Sequence, residues 1–369
     1  MSSRICMFCP NVSKNSFSYL NEVIKSKWIG QGEKVSEFED MFKSIFKVPF
    51  TVAVNNSSSA IRLALDISGI GPGDEVITTP MTCTATNHPI LEQFAKPVFA
   101  DIQYLTGNID PDDIEHRITE KTKAIICAHW GGYPCDLKEI HKIADKYNLT
   151  VIEDASDAIG AVYNNKNIGN ISKFTCFSFQ AIKQITAGEG GILCTLDKSS
   201  FESAIRKRWY GIDRSIRKPN IIGYYDFDVS EVGYGYHMTN INAVIGISNL
   251  EEFNKIKKRR REIAVKYREE LENIEKLTLF ELSSDRESAN ELFTIHVNDR
   301  NRFCKVMKSR GIETSVVHMR NDMYSIFGGL RKDLPILDKF TETYISLPLH
   351  NFLIDNEVDY IIKSIKKGW

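Results

Sequence analysis

No stretch of this sequence is apolar for long enough to cross a membrane, and its opening, MSSRICMFCPNVSKN, lacks the hydrophobic centre of a secretion signal. A cytoplasmic protein with no membrane partner is expected. An excess of one charge is also missing. The 47 Lys and Arg residues offset 48 Asp and Glu, leaving a formal net charge of −1. That balance offers no electrostatic footprint for nucleic acid. The one basic run, Lys257 to Arg261, lies in a helical pattern rich in glutamate and reads as a solvated face. A disulfide or zinc pattern is absent as well. Cys6 and Cys9 have no second pair or nearby histidines, so the eight cysteines read as free thiols and no metal is expected.

What is present is an ordinary enzyme composition, 42% apolar and 26% charged, over 369 residues. That length suits two or three domains, or one large domain with a smaller one attached. From residue 50 to about 195, short β-branched strands alternate with amphipathic helices. TVAV, EVITT, PVFADI, KAIICAH and LTVIEDA read as strands, and SSAIRLALDIS as a helix. Another helix, DLKEIHKIADKYN, has a capping-type start at Asp136. FTCFSF and GGILCTL are two further strands. Such alternation predicts an α/β fold with a mostly parallel sheet sandwiched by helices. Residues 237–274 read as one long helical region, and a smaller α+β unit follows Leu277. The expected division is residues 1–250 as a large domain, and 251–369 as the long helix with a small C-terminal domain.

In open α/β sheets, sites form at the carboxyl ends of strands. Three features fall there. The turn NNSSSA follows a strand and opens a helix, so its backbone N–H groups and hydroxyls suit an anion, or simply a cap by Ser57 or Ser58. Asp154 ends the strand in VIEDAS, and Lys183 follows the strand FTCFSF. Each alone is weak. A lysine amine for Schiff-base chemistry, a carboxylate to hold a pyridine nitrogen protonated, and neutral donors for a phosphate together describe a pyridoxal-phosphate site.

The pieces GPGDEVITTPMTCTATN, VIEDASDAIGAVY, FSFQAIKQITAGEGG and GYGYHMTNINAVIGISNLEEF resemble the DegT/DnrJ/EryC1/StrS sugar aminotransferases. The likeness runs through nearly the whole chain and is densest over residues 50–250. It implies the pyridoxal-phosphate transferase fold type I, whose large domain holds a mostly parallel mixed sheet, with pyridoxal 5'-phosphate as cofactor and its pyridoxamine form as intermediate. It further implies that Lys183 is the Schiff-base lysine and Asp154 the acid facing the ring nitrogen. Ser57, Ser58 and Ser178 match phosphate-binding positions. Cys83 stands where an aromatic residue usually stacks on the ring, and Asp157 where His, Gln or Glu is common near the cofactor hydroxyl. Gly235 replaces a residue that often reaches the partner subunit's phosphate, which leaves Tyr234, Tyr236, His237 or Asn240 for a crossing contact. His318, Arg320 and Tyr236 are candidate substrate contacts, and Asn240 a candidate cofactor contact.

The activity so implied is transfer of an amino group from L-glutamate to a keto sugar, foremost a nucleotide-linked 4-keto-6-deoxyhexose, for surface-polysaccharide synthesis by a homodimer with shared sites. The spellings HWGGYP and SFQAIK keep open a 3-keto nucleotide sugar or an oxidised eight-carbon sugar acid. A pyridoxamine-phosphate-dependent dehydratase of the same family replaces the lysine with histidine, so Lys183 argues against it.

Overall fold

The computed structural model describes residues 4–369. Helices α1 (Asn15–Ser26) and α2 (Glu33–Phe46) precede the first strand. Strand β1 (Phe50–Val54) leads into α3 (Ser57–Ile67), and β2 (Glu75–Thr78) into α4 (Thr84–Glu92). Then come β3 (Lys96–Phe99), α5 (Pro111–His116), β4 (Thr122–Ala128), α6 (Leu137–Tyr147) and β5 (Thr150–Asp154). Strands β6 (Phe174–Ser178) and β7 (Gly191–Thr195) complete a seven-stranded sheet in the order β1-β7-β6-β5-β4-β2-β3. The ladders from β6 to β3 are parallel. Strand β7 runs antiparallel to both neighbours, so the sheet is mixed as well as mostly parallel.

The strands are apolar on both faces because helices cover both faces. On α2, Phe38, Phe42 and Phe46 recur at helical spacing and are fully buried. Phe42 meets Phe177 at 5.0 Å between ring centroids, and Phe38 meets Phe179 at 4.9 Å. Replacing Phe42 with Ala is expected to cost about 3–5 kcal/mol, read as a drop in the denaturant midpoint at unchanged slope.

Three sequence expectations change here. The long helical region divides into α8 (Asn240–Leu250) and α9 (Phe253–Leu271), which follow α7 (Lys198–Arg208). At the break, Asn249 is pinned by its Nδ2 to the Thr186 carbonyl at 2.7 Å, and Glu251 takes hydrogen bonds from Asn15 and Tyr19. The basic run is not simply solvated. A helix turns about 100° per residue, so five consecutive residues face every direction. Arg260 is buried beside Glu291, and Lys257 donates to the Gly160 carbonyl at 2.7 Å. Asp136 precedes α6 without capping it by its side chain. Its carboxylate instead accepts from Gln103 and Arg286.

Beyond α9, Leu277–Leu279, Phe293–Val297 and Tyr344–Leu347 form an antiparallel three-stranded sheet. It packs in one apolar cluster with residues of α9, such as Tyr267, and of the helix Asp355–Lys366. Ile5 joins that cluster and bridges Ile312. All eight cysteines are free. Among the described residues, no helix is long and apolar enough to cross a membrane, and no cluster of His, Cys, Asp and Glu could hold a metal.

Candidate active site

A cavity of about 430 Å³ opens where β4, β5 and β6 end and α3 begins. Ser57, Ser58, Cys83, Asp154, Asp157, Ser178, Lys183 and His318 all line it. Strand direction explains the convergence: parallel strands deliver Asp154 and Ser178 to the same edge, and the turn after β1 brings α3's first N–H groups to meet them.

Asp154, the last residue of β5, is 6% exposed. Its Oδ2 accepts from Thr86 Oγ1 at 2.6 Å, and its Oδ1 accepts from Ser156 N at 3.0 Å and Ser156 Oγ at 2.5 Å. A short carboxylate side chain tied on both oxygens has one orientation. Lys183 Nζ donates to Asp157 Oδ1 at 2.5 Å, with the two side chains only 13% and 15% exposed.

Burial opposes charge on both members of that pair, yet each is held charged. Asp157 sits below its ordinary value because Lys183 and His318 outweigh its desolvation. Lys183 sits above its ordinary value because Asp157 and Glu291 outweigh its own. The depressed carboxylate stabilises the fold above its unfolded value of about 4, and that contribution is lost as pH falls through the lower folded value. The raised lysine stabilises below its unfolded value of about 10.4, and that contribution is lost as pH rises through the folded one. Asp157→Asn would leave a buried ammonium without its partner. Cofactor-free Asp157→Asn is therefore expected to be less stable by about 3 kcal/mol at neutral pH, with a flatter acid limb in thermal unfolding from pH 3 to 7.

The turn before α3 is built differently from either serine cap. Asn56 is the cap, its Oδ1 accepting from Ser59 N at 2.8 Å. Ser58 Oγ donates to the Ala85 carbonyl at 3.0 Å. Ser178 Oγ accepts from Gln180 N at 3.3 Å, and among the described residues no acceptor takes its proton. Gly191, opening β7, presses against this turn: a Cβ there would lie 2.5 Å from Asn56 C and O. Gly191→Ala should push the turn outward and lower the melting temperature by several degrees, with phosphate retention falling in parallel.

His318 reaches the cavity from the segment after the helix Arg300–Ser309. Burial, aided by Lys183, lowers its pKa, so it stands neutral near pH 7. Three expected site residues lie elsewhere within one chain. Arg320 is bound through Nε and Nη2 to Asp322 at 2.6 Å each and through Nη1 to Asp338, which leaves it no free face for a substrate. Tyr236 stacks on Tyr234 at 4.7 Å. Asn240 Nδ2 donates to the Trp28 carbonyl at 3.0 Å, while its buried Oδ1 has no partner among the described residues. At Gly235, a Cβ would meet Tyr210 Oη at 2.5 Å, which accounts for the missing side chain.

Thr86, Ser156 and His129 line the cavity without having been singled out from sequence. Thr86 lies in TPMTCTATN, where four threonines and Asn87 between two apolar segments are the only hint.

These groups fit pyridoxal phosphate. The chemistry of the donor set is complete: a buried amine beside a carboxylate, a second carboxylate fixed on both oxygens, and a helix start with hydroxyls where an added Cβ would intrude.

The description of the DegT/DnrJ/EryC1/StrS aminotransferase family matches residues 10–366. GDP-perosamine synthase of Escherichia coli O157:H7 is 32% identical over 98% of each chain. The sugar aminotransferase CalS13 of Micromonospora echinospora superposes with a TM-score of 0.94 at 33% identity, over 99% of this chain and 100% of that one. The sugar aminotransferase Spr1654 of Streptococcus pneumoniae, described as putative, is 27% identical with a TM-score of 0.91, covering 99% of this chain and 98% of its own. It is known in pyridoxal-phosphate and pyridoxamine-phosphate forms. The architecture is thus that of fold type I sugar aminotransferases.

Proposed function

We propose, for a chain that belongs to the DegT/DnrJ/EryC1/StrS aminotransferase family, that it moves an amino group from L-glutamate to a nucleotide-linked 4-keto-6-deoxyhexose. Membership makes it a pyridoxal-phosphate-dependent sugar aminotransferase; donor and sugar are our reading. The observation that carries the reading is the single cavity joining Lys183, Asp157, Asp154 and the start of α3. The relative with a GDP-linked product in its name supports a nucleotide-linked sugar.

Bound pyridoxal phosphate supplies the carbonyl and the electron-withdrawing ring that protein side chains lack. Asp154, fixed by Thr86 and Ser156, would offer its negative charge to the ring nitrogen of the bound cofactor. Ser57, Ser58, Ser178 and the α3 backbone hold the phosphate with neutral donors. Asp157 Oδ1 holds the Lys183 ammonium in place, and the amine becomes a nucleophile only once that proton has left the pair. Lys183 Nζ then takes the proton from the donor's α-carbon and later delivers one to the sugar carbon receiving nitrogen. His318, neutral and lining the cavity, would orient the sugar.

The working unit in this reading is a cytoplasmic homodimer. The hairpin of Lys218–Pro219 and Tyr225–Asp226 carries exposed Ile221, Ile222 and Tyr224, and the nearby buried atoms His237 Nδ1 and Arg214 Nε have no partner among the described residues. Such a surface suits a second copy of the chain, which would bring Tyr236 or Asn240 toward the neighbouring site. Light scattering should give twice the 42.0 kDa chain mass. Mixing Lys183→Ala with a chain altered at the crossing residues should restore partial activity, and a fully active monomer would remove this part of the proposal. Incubation with glutamate and a panel of nucleotide-linked keto sugars, read by mass, tests the substrate: amination of 4-keto-6-deoxyhexoses is expected, and amination of only 3-keto sugars or of a free eight-carbon acid would overturn it.

A further inference from the structure

Next to Asp154, a chain of buried hydroxyls runs along the cavity wall through Thr86 and Thr82, both of which line it. Thr86 Oγ1 lies 2.6 Å from Asp154 Oδ2 and Thr82 Oγ1 lies 2.8 Å from Thr86 Oγ1, with Thr86 fully buried and Thr82 6% exposed. Proton counting gives the chain a direction. An ionised carboxylate only accepts, so Thr86 donates its single hydroxyl proton to Asp154. Thr82 must then donate to Thr86. Each donor is strengthened by the one behind it.

The far end is anchored. The Thr82 carbonyl accepts from Asn321 Nδ2 at 2.7 Å, and the Pro80 carbonyl accepts from Asn321 N at 2.7 Å. Asn321 Oδ1 in turn accepts from Asn87 Nδ2 at 2.8 Å, and Asn87 Oδ1 accepts from Thr78 Oγ1 at 2.8 Å. Asn87 and Asn321 are both fully buried. Asn321 lies three residues after His318, so the network that steadies Asp154 also seats the segment bearing His318.

We propose that Thr86, driven by Thr82, is a positioning residue that sets the orientation and charge of Asp154 toward the cofactor ring. This rests on the reading of Asp154 as the partner of the ring nitrogen. Without Thr86's hydroxyl, Oδ2 has one donor fewer holding its negative charge, and the carboxylate is tied on Oδ1 alone. It would both turn and draw the ring proton toward itself, weakening the ring as an electron sink.

The test uses the cofactor-loaded protein, with pyridoxal phosphate carrying ¹⁵N in the ring. The ring-nitrogen NMR signal reports protonation directly. In the unaltered protein it should sit at the pyridinium position. Thr86→Val, matched in shape, should move it toward the unprotonated position and lower kcat roughly 10- to 100-fold, with KM for the sugar within about threefold. Thr86→Ser should restore both, and Thr82→Val should shift the signal the same way by less. Asp154→Asn separates the two layers. If Asp154→Asn moves the signal but Thr86→Val and Thr82→Val do not, the positioning role is wrong while the Asp154 reading stands. If Asp154→Asn leaves the signal unmoved, the Asp154 reading falls and this inference with it. A folding failure of Thr86→Val would show in its thermal melt, and Thr82→Val against Thr86→Ser then decides.

Discussion

Lys183→Ala is expected to reduce steady-state transamination by about 10⁴-fold, through loss of both a nucleophile and a proton carrier. The fold should tolerate the change. Lys183 sits in the loop between β6 and β7, outside any helix or strand, so the secondary structure is untouched, although Asp157 loses its buried partner and some stability with it. Binding should largely survive, because the phosphate cradle and Asp154 are untouched. The expected pattern is therefore a protein that still folds, with a lower melting temperature, and retains pyridoxamine phosphate, yet turns over almost nothing. Lys183→Arg, which keeps the positive charge but not an amine able to attack a carbonyl, should be equally inactive. Equal inactivity separates chemistry from electrostatics. Activity in the arginine variant would mean that Lys183 acts only through its charge.

Asp154→Asn should reduce turnover by roughly 10³-fold. The substitution preserves shape, but Thr86 and Ser156 donate to different carboxylate oxygens, so the single amide oxygen can keep only one of them. What disappears is the negative charge, and an amide NH₂ then faces whatever occupied that place. The loss should fall on kcat rather than on KM for the sugar, since the interaction matters most when charge develops on the ring. A near-normal rate would remove Asp154 from the mechanism.

Much of this site was legible because its signals are local. Asp154 ends a β-branched run and Lys183 follows another, and strand ends are where open α/β sheets build sites. The anion turn was legible for the same reason, although Asn56 rather than a serine caps α3, since side chains one residue apart compete for the same N–H groups. The direction of β7 was not legible from its residues, since GGILCTL reads alike either way, and only the family resemblance implied a mixed sheet; residues 179–190, which join it to β6, hold no crossover helix. The break between α8 and α9 escaped because both halves keep helical patterning, and the cause is a contact to residues more than 200 positions away. Arg320 looked available because Asp322, only two residues on, need not turn toward it, and Asp338 becomes a neighbour only through folding. Thr86 was hidden because a threonine in a short helix has many ordinary uses, and only the 2.6 Å approach to Asp154 distinguishes this one.

The central claim is that Lys183 is the amine that holds the cofactor, and borohydride reduction tests it most directly. Protein loaded with pyridoxal phosphate would be reduced, digested and mapped by mass spectrometry. The account predicts a yellow protein that bleaches with glutamate, and a reduced cofactor adduct confined to the peptide containing Lys183. An adduct on any other lysine, or none at all on loaded protein, would contradict it.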